Sequence, residues 1–304
     1  MSFLNATNIY KSYDKITALR EFSLAVEEGE IFALVGPDGA GKTTFIRILC
    51  HLIRTDRGEV TIAGYDIKKD FEKIKPLLGY MPQIFSLYPD LSVEENLKFY
   101  AGIYGFTGQA FERKRDYLYS FSNLGPFARR RAQALSGGMK QKLALSCALM
   151  HDPEFLILDE PTTGVDPLSR HQFWEILLQL KSEGVTVLVS TPYMDEVARA
   201  DRAAFVLDGR KLSEGKPDEL AARFRGRIYF LNEEPNPTLV ENLNRIKGLK
   251  AQRFGAGMHL YLDENDDIAR YAQALAQLNI AVDKLAPAAP GLEDRFIQLT
   301  ETGS

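Results

Sequence analysis

Gly36-Pro37-Asp38-Gly39-Ala40-Gly41-Lys42-Thr43 fits the spacing G-x-x-x-x-G-K-[ST] of a phosphate-binding loop, or P-loop. That spacing arises by chance in roughly one chain of this length in a hundred. The surroundings narrow it further. Residues 30–35 read as a strand before the loop, and residues 42–52 as a helix after it, with Phe45, Ile46, Ile48 and Leu49 on its inner side. The chemistry needs this order. Glycines let backbone N–H groups converge on phosphate oxygens, and the helix N-terminus adds a favourable dipole. Lys42 then reaches the β- and γ-phosphates, and the Thr43 hydroxyl, followed by Thr44, can ligate Mg²⁺. The plain alternative is a glycine-rich turn carrying a surface lysine, and the strand-loop-helix context weighs against it.

Further along, Phe155-Leu156-Ile157-Leu158-Asp159-Glu160 is an apolar strand ending in two acids. Two carboxylates there are costly to desolvate without a cation. Beside a P-loop that cation is Mg²⁺, with Asp159 as its ligand and Glu160 placed to orient or deprotonate an attacking water. Many strands end in Asp or Glu, so the signal gains its force from following a P-loop.

Between these motifs the pattern alternates. The segment before Ile31 mixes apolar and polar residues (Phe3, Ile9, Tyr10, Phe22, Leu24, Val26), as suits a small, mostly antiparallel sheet. Strand signals return at 58–63 and 77–81. Residues 92–150 turn helical behind Ser92-Val93-Glu94-Glu95, a capping-box signature. Asp166-Pro167 opens a helix to about Ser182, and strands at 185–190 and 203–207 complete the main sheet. After about Ala222 the predicted order is strand 227–231, helix 237–246, hairpin 249–254/258–263, helix 267–278, strand 280–285 and helix 292–300. This βαββαβ order suits a split-βαβ domain. The expectation is an α/β P-loop NTPase (RecA-like) core over 1–222, with an antiparallel β subdomain and a helical insert at 92–150, and a small α+β accessory domain over 223–304.

Bulk properties exclude several classes. At 304 residues with net charge −4, the chain carries no electrostatic footprint for nucleic acid or an anionic membrane surface. Cys50 and Cys147 lack metal-type spacing and suit a reduced, cytoplasmic compartment. The start (Met1-Ser2-Phe3-Leu4-Asn5) argues against a signal peptide, and no run approaches the ~20 apolar residues of a membrane span. Any action at a membrane is therefore expected to go through a partner.

Leu135-Ser136-Gly137-Gly138-Met139-Lys140-Gln141 opens an apolar-periodic helix between the two motifs already read. The tripeptide Ser136-Gly137-Gly138 alone reads as a capped helix start, with an anion site at its N-terminus as the alternative. In this position it resembles the signature sequence of ABC transporter ATP-binding subunits, with Met139 in place of the usual Gln. The resemblance covers about residues 1–222. It implies that Tyr13 stacks on adenine, that Gln83 (after Tyr80-Met81-Pro82) contacts Mg²⁺ and links the core to the helical insert, and that Gly164-Val165-Asp166-Pro167 is the D-loop. It implies ATP as ligand, a second ATPase subunit supplying the other half of each ATP site, and an integral-membrane permease as partner. Residues 36–44, Gly79-Tyr80-Met81-Pro82-Gln83, Leu124-Gly125-Pro126-Phe127 and the tail Pro290-Gly291-Leu292-Glu293-Asp294-Arg295-Phe296-Ile297 resemble YbhF-type efflux ATPases in particular. A chain of that kind is expected on the inner face of the cell membrane, held there by its permease.

One position departs from the family pattern. In Ser190-Thr191-Pro192-Tyr193-Met194-Asp195-Glu196, Pro192 stands where the family has its switch histidine. Proline offers no side-chain donor and no backbone N–H. None of His51, His151, His171 and His259 is close in sequence. Asp38 is a second departure, from the commoner Asn or Ser. Three functions are therefore carried forward. The first is an exporter's hydrolysing subunit, the alternative a partly degenerate ATP-binding partner in a heterodimer. The last, from another class, is a soluble non-transport ABC ATPase, which the single cassette and lack of coiled coil or basic arm disfavour.

Overall fold

The computed structural model describes residues 2–302, and the chain divides into two compact units, Met1–Pro217 and Asp218–Ser304. In the first unit, long alternating strands β1 (Ser2–Tyr13) and β2 (Ile16–Glu27) pair antiparallel. Strand β4 (Arg57–Ile62) joins the other edge of β1, with β5 (Tyr65–Asp66) beyond it. The antiparallel sheet thus takes two strands from beyond the P-loop helix, where sequence periodicity alone could not assign them to a sheet.

The main sheet holds β3 (Ile31–Val35), β6 (Leu78–Met81), β7 (Phe155–Asp159), β8 (Thr186–Thr191), β9 (Arg202–Leu207) and β10 (Arg210–Gly215) in the order β10-β9-β3-β8-β7-β6. Only β10 runs antiparallel to its neighbour. Strands β3, β7 and β8 are buried at every position, which is why they read as unbroken apolar runs rather than as alternation. The core fills the space between the two sheets: Phe22 packs on Phe45 and Phe3 on Phe155, ring centroids 4.7 and 5.6 Å apart.

Register matters most at the carboxyl ends of the parallel strands. Val35 of β3 pairs with Thr191 of β8, and Ser190 of β8 pairs with Asp159 of β7. Three strand ends therefore lie side by side, at the edge where open α/β sheets bind ligands. The helical region supplies Val93–Ile103, Gly108–Ser122 and Gly137–Ala148. Its expected capping box is present: Glu95 N–H donates to Ser92 Oγ and Ser92 N–H to Glu95 Oε2, at 3.2 and 2.7 Å. The P-loop helix is shorter than its pattern suggested, ending at Leu49 with Cys50 as its C-cap. Among the described residues no helix is long and apolar enough to cross a membrane.

The second unit has β11 (Arg227–Leu231), β12 (Leu249–Phe254), β13 (Gly257–Leu262) and β14 (Leu285–Ala288) in the antiparallel order β12-β13-β11-β14, the split-βαβ arrangement. Two elements differ from their sequence reading. The helix expected over 267–278 is a 3₁₀ turn, Ile268–Tyr271, followed by a short α-helix, Ala272–Ala276. The strand expected over 280–285 forms later, at Leu285–Ala288. Asn279 turns the chain at φ 61°, a 3₁₀ turn takes up Val282–Lys284, and Pro287 is tolerated because β14 is an edge strand.

The last helix, Leu292–Thr302, is fastened to this sheet by one buried carboxylate. Asp294 accepts from Tyr261 Oη and Gly291 N–H, each at 2.7 Å, and lies 2.7 Å from His259 Nδ1, whose ring stacks on Phe254. Removing the shared acceptor strands the buried His259 ring, at a cost of about 1–3 kcal/mol, and two half-buried donors, Tyr261 and Gly291, at less. Asp294→Ala should therefore lower the unfolding midpoint by several degrees in a thermal scan, and Asp294→Asn, which keeps an acceptor, by less.

Candidate functional site

The loop after β3 is shaped by its glycines. A side chain at Gly36 would meet the Val206 carbonyl oxygen at 2.1 Å, so the backbone approaches β9 too closely for any other residue. Gly41 caps the following helix with φ 106°, in the left-handed region open to glycine. The loop is tied down by Ala40 N–H to Pro37 O (3.2 Å) and Gly209 N–H to Ala40 O (2.9 Å). Pro37, Asp38 and Gly39 at its tip are exposed, Ala40 is buried and Thr44 half-buried.

Lys42 is buried, and its ammonium donates to the carbonyls of Gly36 (2.7 Å) and Pro37 (3.1 Å) and pairs with Glu160 Oε1 at 3.1 Å. Thr43 Oγ1 donates to Asp159 Oδ1 at 3.1 Å. The two motifs read separately in the sequence thus meet across β8. Ser190 joins them from between: its hydroxyl donates to Asp159 Oδ1 at 2.8 Å and accepts from Glu160 N–H at 2.9 Å. Glu160, at φ 48°, also receives Gln83 Nε2 at 2.9 Å and Thr163 Oγ1 at 3.3 Å on Oε2.

Burial pushes the Asp159 carboxyl above the usual carboxylate range; bonds from Ser190 and Thr43 oppose this and the Glu160 charge adds to it. Asp159 and Thr43 present oxygen donors only, the set that suits a hard cation such as Mg²⁺, and a cation would offset the buried charge. The residues present therefore fit the metal.

The remaining expected residues lie elsewhere. Tyr13 ends β1 with its ring 43% exposed and the Lys11 ammonium 5.5 Å from its centroid, a surface accessible to a stacking base. Ser136 caps the helix Gly137–Ala148, accepting from Met139 N–H at 3.4 Å, so the capping reading holds. Ser136 and Gly137 are exposed, while Gly138 is buried because Ser169 fills the space its side chain would need, at 2.5 Å. Asp166 caps the helix Pro167–Ser182 through Ser169 N–H at 2.9 Å. The four histidines have other partners: His51 stacks on Phe71, His151 on Tyr104, His171 is exposed beside Glu175, and His259 stacks on Phe254 within the second unit.

Sequence reasoning missed Ser190, Thr163 and Glu196. Ser190-Thr191 closing an apolar strand was the available signal, since hydroxyls at that end face whatever the neighbouring strands present.

The family model described as ABC transporter matches residues 19–163. The probable multidrug ABC transporter ATP-binding protein YbhF of Escherichia coli is 40% identical over 288 residues, which cover 93% of this chain and 49% of that protein. The Nod factor export ATP-binding protein I of Rhizobium etli is 31% identical over 301 residues, covering 99% of this chain and 94% of that one. The chain belongs to the ATPase cassettes of ABC transporters. It spans about half the length of the E. coli relative. A solved ATP-binding cassette, a dimer in a post-hydrolysis state with ADP and Pi, superposes with TM-score 0.64 at 28% identity, covering 70% of this chain and 98% of that one.

A carboxyl held above its ordinary range is destabilising when ionised, so a neutral isostere at that position stabilises at neutral pH. Asp159→Asn should raise the melting temperature of the nucleotide-free cassette at pH 7, measured by scanning fluorimetry.

Proposed function

We propose that the chain is the ATP-binding and hydrolysing subunit of an ABC exporter, coupling ATP-driven closure of an ATPase pair to transport by a separate membrane permease. The observation that carries this reading is the Lys42–Glu160 pair beside Asp159 and Thr43. A polyphosphate entering the loop presents Lys42 with a more highly charged partner than one carboxylate. Lys42 then turns to the β- and γ-phosphates, and Glu160 Oε1 is released to accept a proton from water. Gln83 and Thr163 keep the other oxygen oriented. Thr43, Asp159 and Gln83 would hold Mg²⁺, which supplies neutralisation of phosphate charge. Tyr13 would stack on the adenine, and Ser136–Gly138 would cap the ATP of a second ATPase subunit, as the exposure of Ser136 and Gly137 allows.

A groove of about 310 Å³ supports the coupling role. Its walls include Phe71 and Pro82 from the core, Leu87 from the loop leading to the insert, and Tyr100 and Tyr104 from the insert, so an occupant would feel both parts at once. A permease segment seated there would place this chain on the inner face of the membrane. The names of the relatives, a multidrug transporter and a Nod factor exporter, support the export direction.

Pro192 favours a second reading, in which this chain's own P-loop site binds ATP but turns over slowly beside a partner subunit with an intact switch. Two assays decide. Glu160→Gln should lower kcat about 10²–10⁴-fold with nucleotide binding retained, whereas Lys42→Ala should lose affinity. Pro192→His should raise turnover if the second reading holds; fast turnover by the wild-type chain alone would exclude it. Co-purification with a polytopic membrane protein, lost on Tyr104→Glu, tests the groove.

A further inference from the structure

Glu196 touches none of the reacting groups, yet it is buried, 3% exposed, and both its oxygens are engaged. Thr162 Oγ1 donates to Oε1 at 2.7 Å, and Thr191 Oγ1 donates to Oε2 at 2.6 Å. Thr162 lies two residues past Glu160. Thr191 ends β8, immediately before Pro192, and its hydroxyl also accepts from Tyr193 N–H at 3.1 Å. The paired register of β7 and β8 ends at Asp159 and Ser190. Glu160 N–H still reaches Ser190 O, at 3.2 Å. Beyond that, the side chain of Glu196 spans the gap between the two diverging loops.

Its charge is balanced from a third element. The Arg170 guanidinium, near the start of the helix Pro167–Ser182, lies 3.9 Å from Glu196 Oε1, 3.7 Å from Asp195 and 4.4 Å from the Tyr193 ring centroid. One residue earlier, Ser169 packs into the space left by Gly138 of the signature. A carboxylate this buried persists only where hydrogen bonds and a counter-charge offset its desolvation, and both are supplied here by the elements around the reacting site.

We propose that Glu196 is a positioning residue for hydrolysis: it holds the loop that carries Glu160 against the end of β8, and so sets where Glu160 stands relative to the γ-phosphate. This rests on the reading of Glu160 as the base. With proline at position 192 and no imidazole there, the two Glu196 bonds extend outward the side-chain tie that the Ser190 hydroxyl makes to Glu160 N–H.

The test compares Glu196→Ala, Glu196→Gln and Thr162→Val in the full chain, by steady-state ATP turnover and by amide hydrogen exchange. Glu196→Ala should lower kcat about 10- to 100-fold with KM for ATP held within about two-fold. Exchange should rise together in 161–166 and 191–195. Glu196→Gln, which can still bond both hydroxyls, should recover most of the loss. Thr162→Val should give a smaller drop of the same kind, and keeps the test readable if the alanine variant does not fold. The proposal is overturned if KM rises at unchanged kcat, if Gln is as damaging as Ala, or if faster exchange is confined to one segment. Should the wild-type chain show no turnover, the reading of Glu160 as base fails separately, and the exchange pattern alone then sustains or overturns the clamp.

Discussion

Two adjacent carboxylates, Asp159 and Glu160, stand at the end of a strand that is buried along its whole length. Desolvating one carboxylate without compensation costs several kcal/mol, and a second beside it adds repulsion. The arrangement is tolerable because both carboxylates have specified partners, two hydroxyls on Asp159 Oδ1 and a donor on each oxygen of Glu160. Lys42 comes from the P-loop helix, Thr43 from the same turn, Ser190 from the strand between, and Gln83 from the loop after β6. Moving any of these elements by one residue of register would remove one of these partners. The carboxylate cluster and the strand order are therefore a single constraint seen from two sides.

The same constraint explains which parts of the site were legible in the sequence. The glycines of the P-loop, Lys42, Thr43, Asp159 and Glu160 were readable because their chemistry demands those residue types at fixed spacing around a strand and a helix. Ser190, Thr163 and Glu196 were not. Hydroxyls and single acids occur throughout the chain; Ser190 and Glu196 are selected because β8 lies between β3 and β7, a fact of topology, and Thr163 by the turn that follows Glu160. Burial at every position also hid strand direction, since an all-apolar run carries no period.

In the second unit the misplacements have a local cause. The run around 280–285 is apolar enough to read as strand, but Asn279 at positive φ and the 3₁₀ turn at Val282–Lys284 use those residues to bring the chain to the sheet. The paired residues are then Leu285–Ala288, a segment containing a proline that sequence rules would keep out of a sheet interior. Edge position removes the objection, and edge position is again set by strand order. Asp294 shows the reverse case: the tail motif was recognised as a pattern, and its physical content is a buried carboxylate satisfying His259, Tyr261 and Gly291 at once.

Gly138 ties the signature to the rest of the argument. Its Cα lies against Ser169, so the helix that starts at Gly137 and the helix capped by Asp166 are in contact at their first turns. One turn's end of the second helix carries Arg170 beside Glu196, and Glu196 holds Thr162 and Thr191. A displacement of the exposed Ser136–Gly137 edge would thus reach the loop behind Glu160 through packed atoms and two hydroxyl bonds, without passing through the P-loop. Lys42 and the glycine cradle are anchored separately, to Gly36, Pro37 and β9. The site consequently has two supports with different partners. One anchors Lys42 and the P-loop glycines from within the chain, and the other holds the loop behind Glu160 through elements that lead to the exposed Ser136–Gly137 edge.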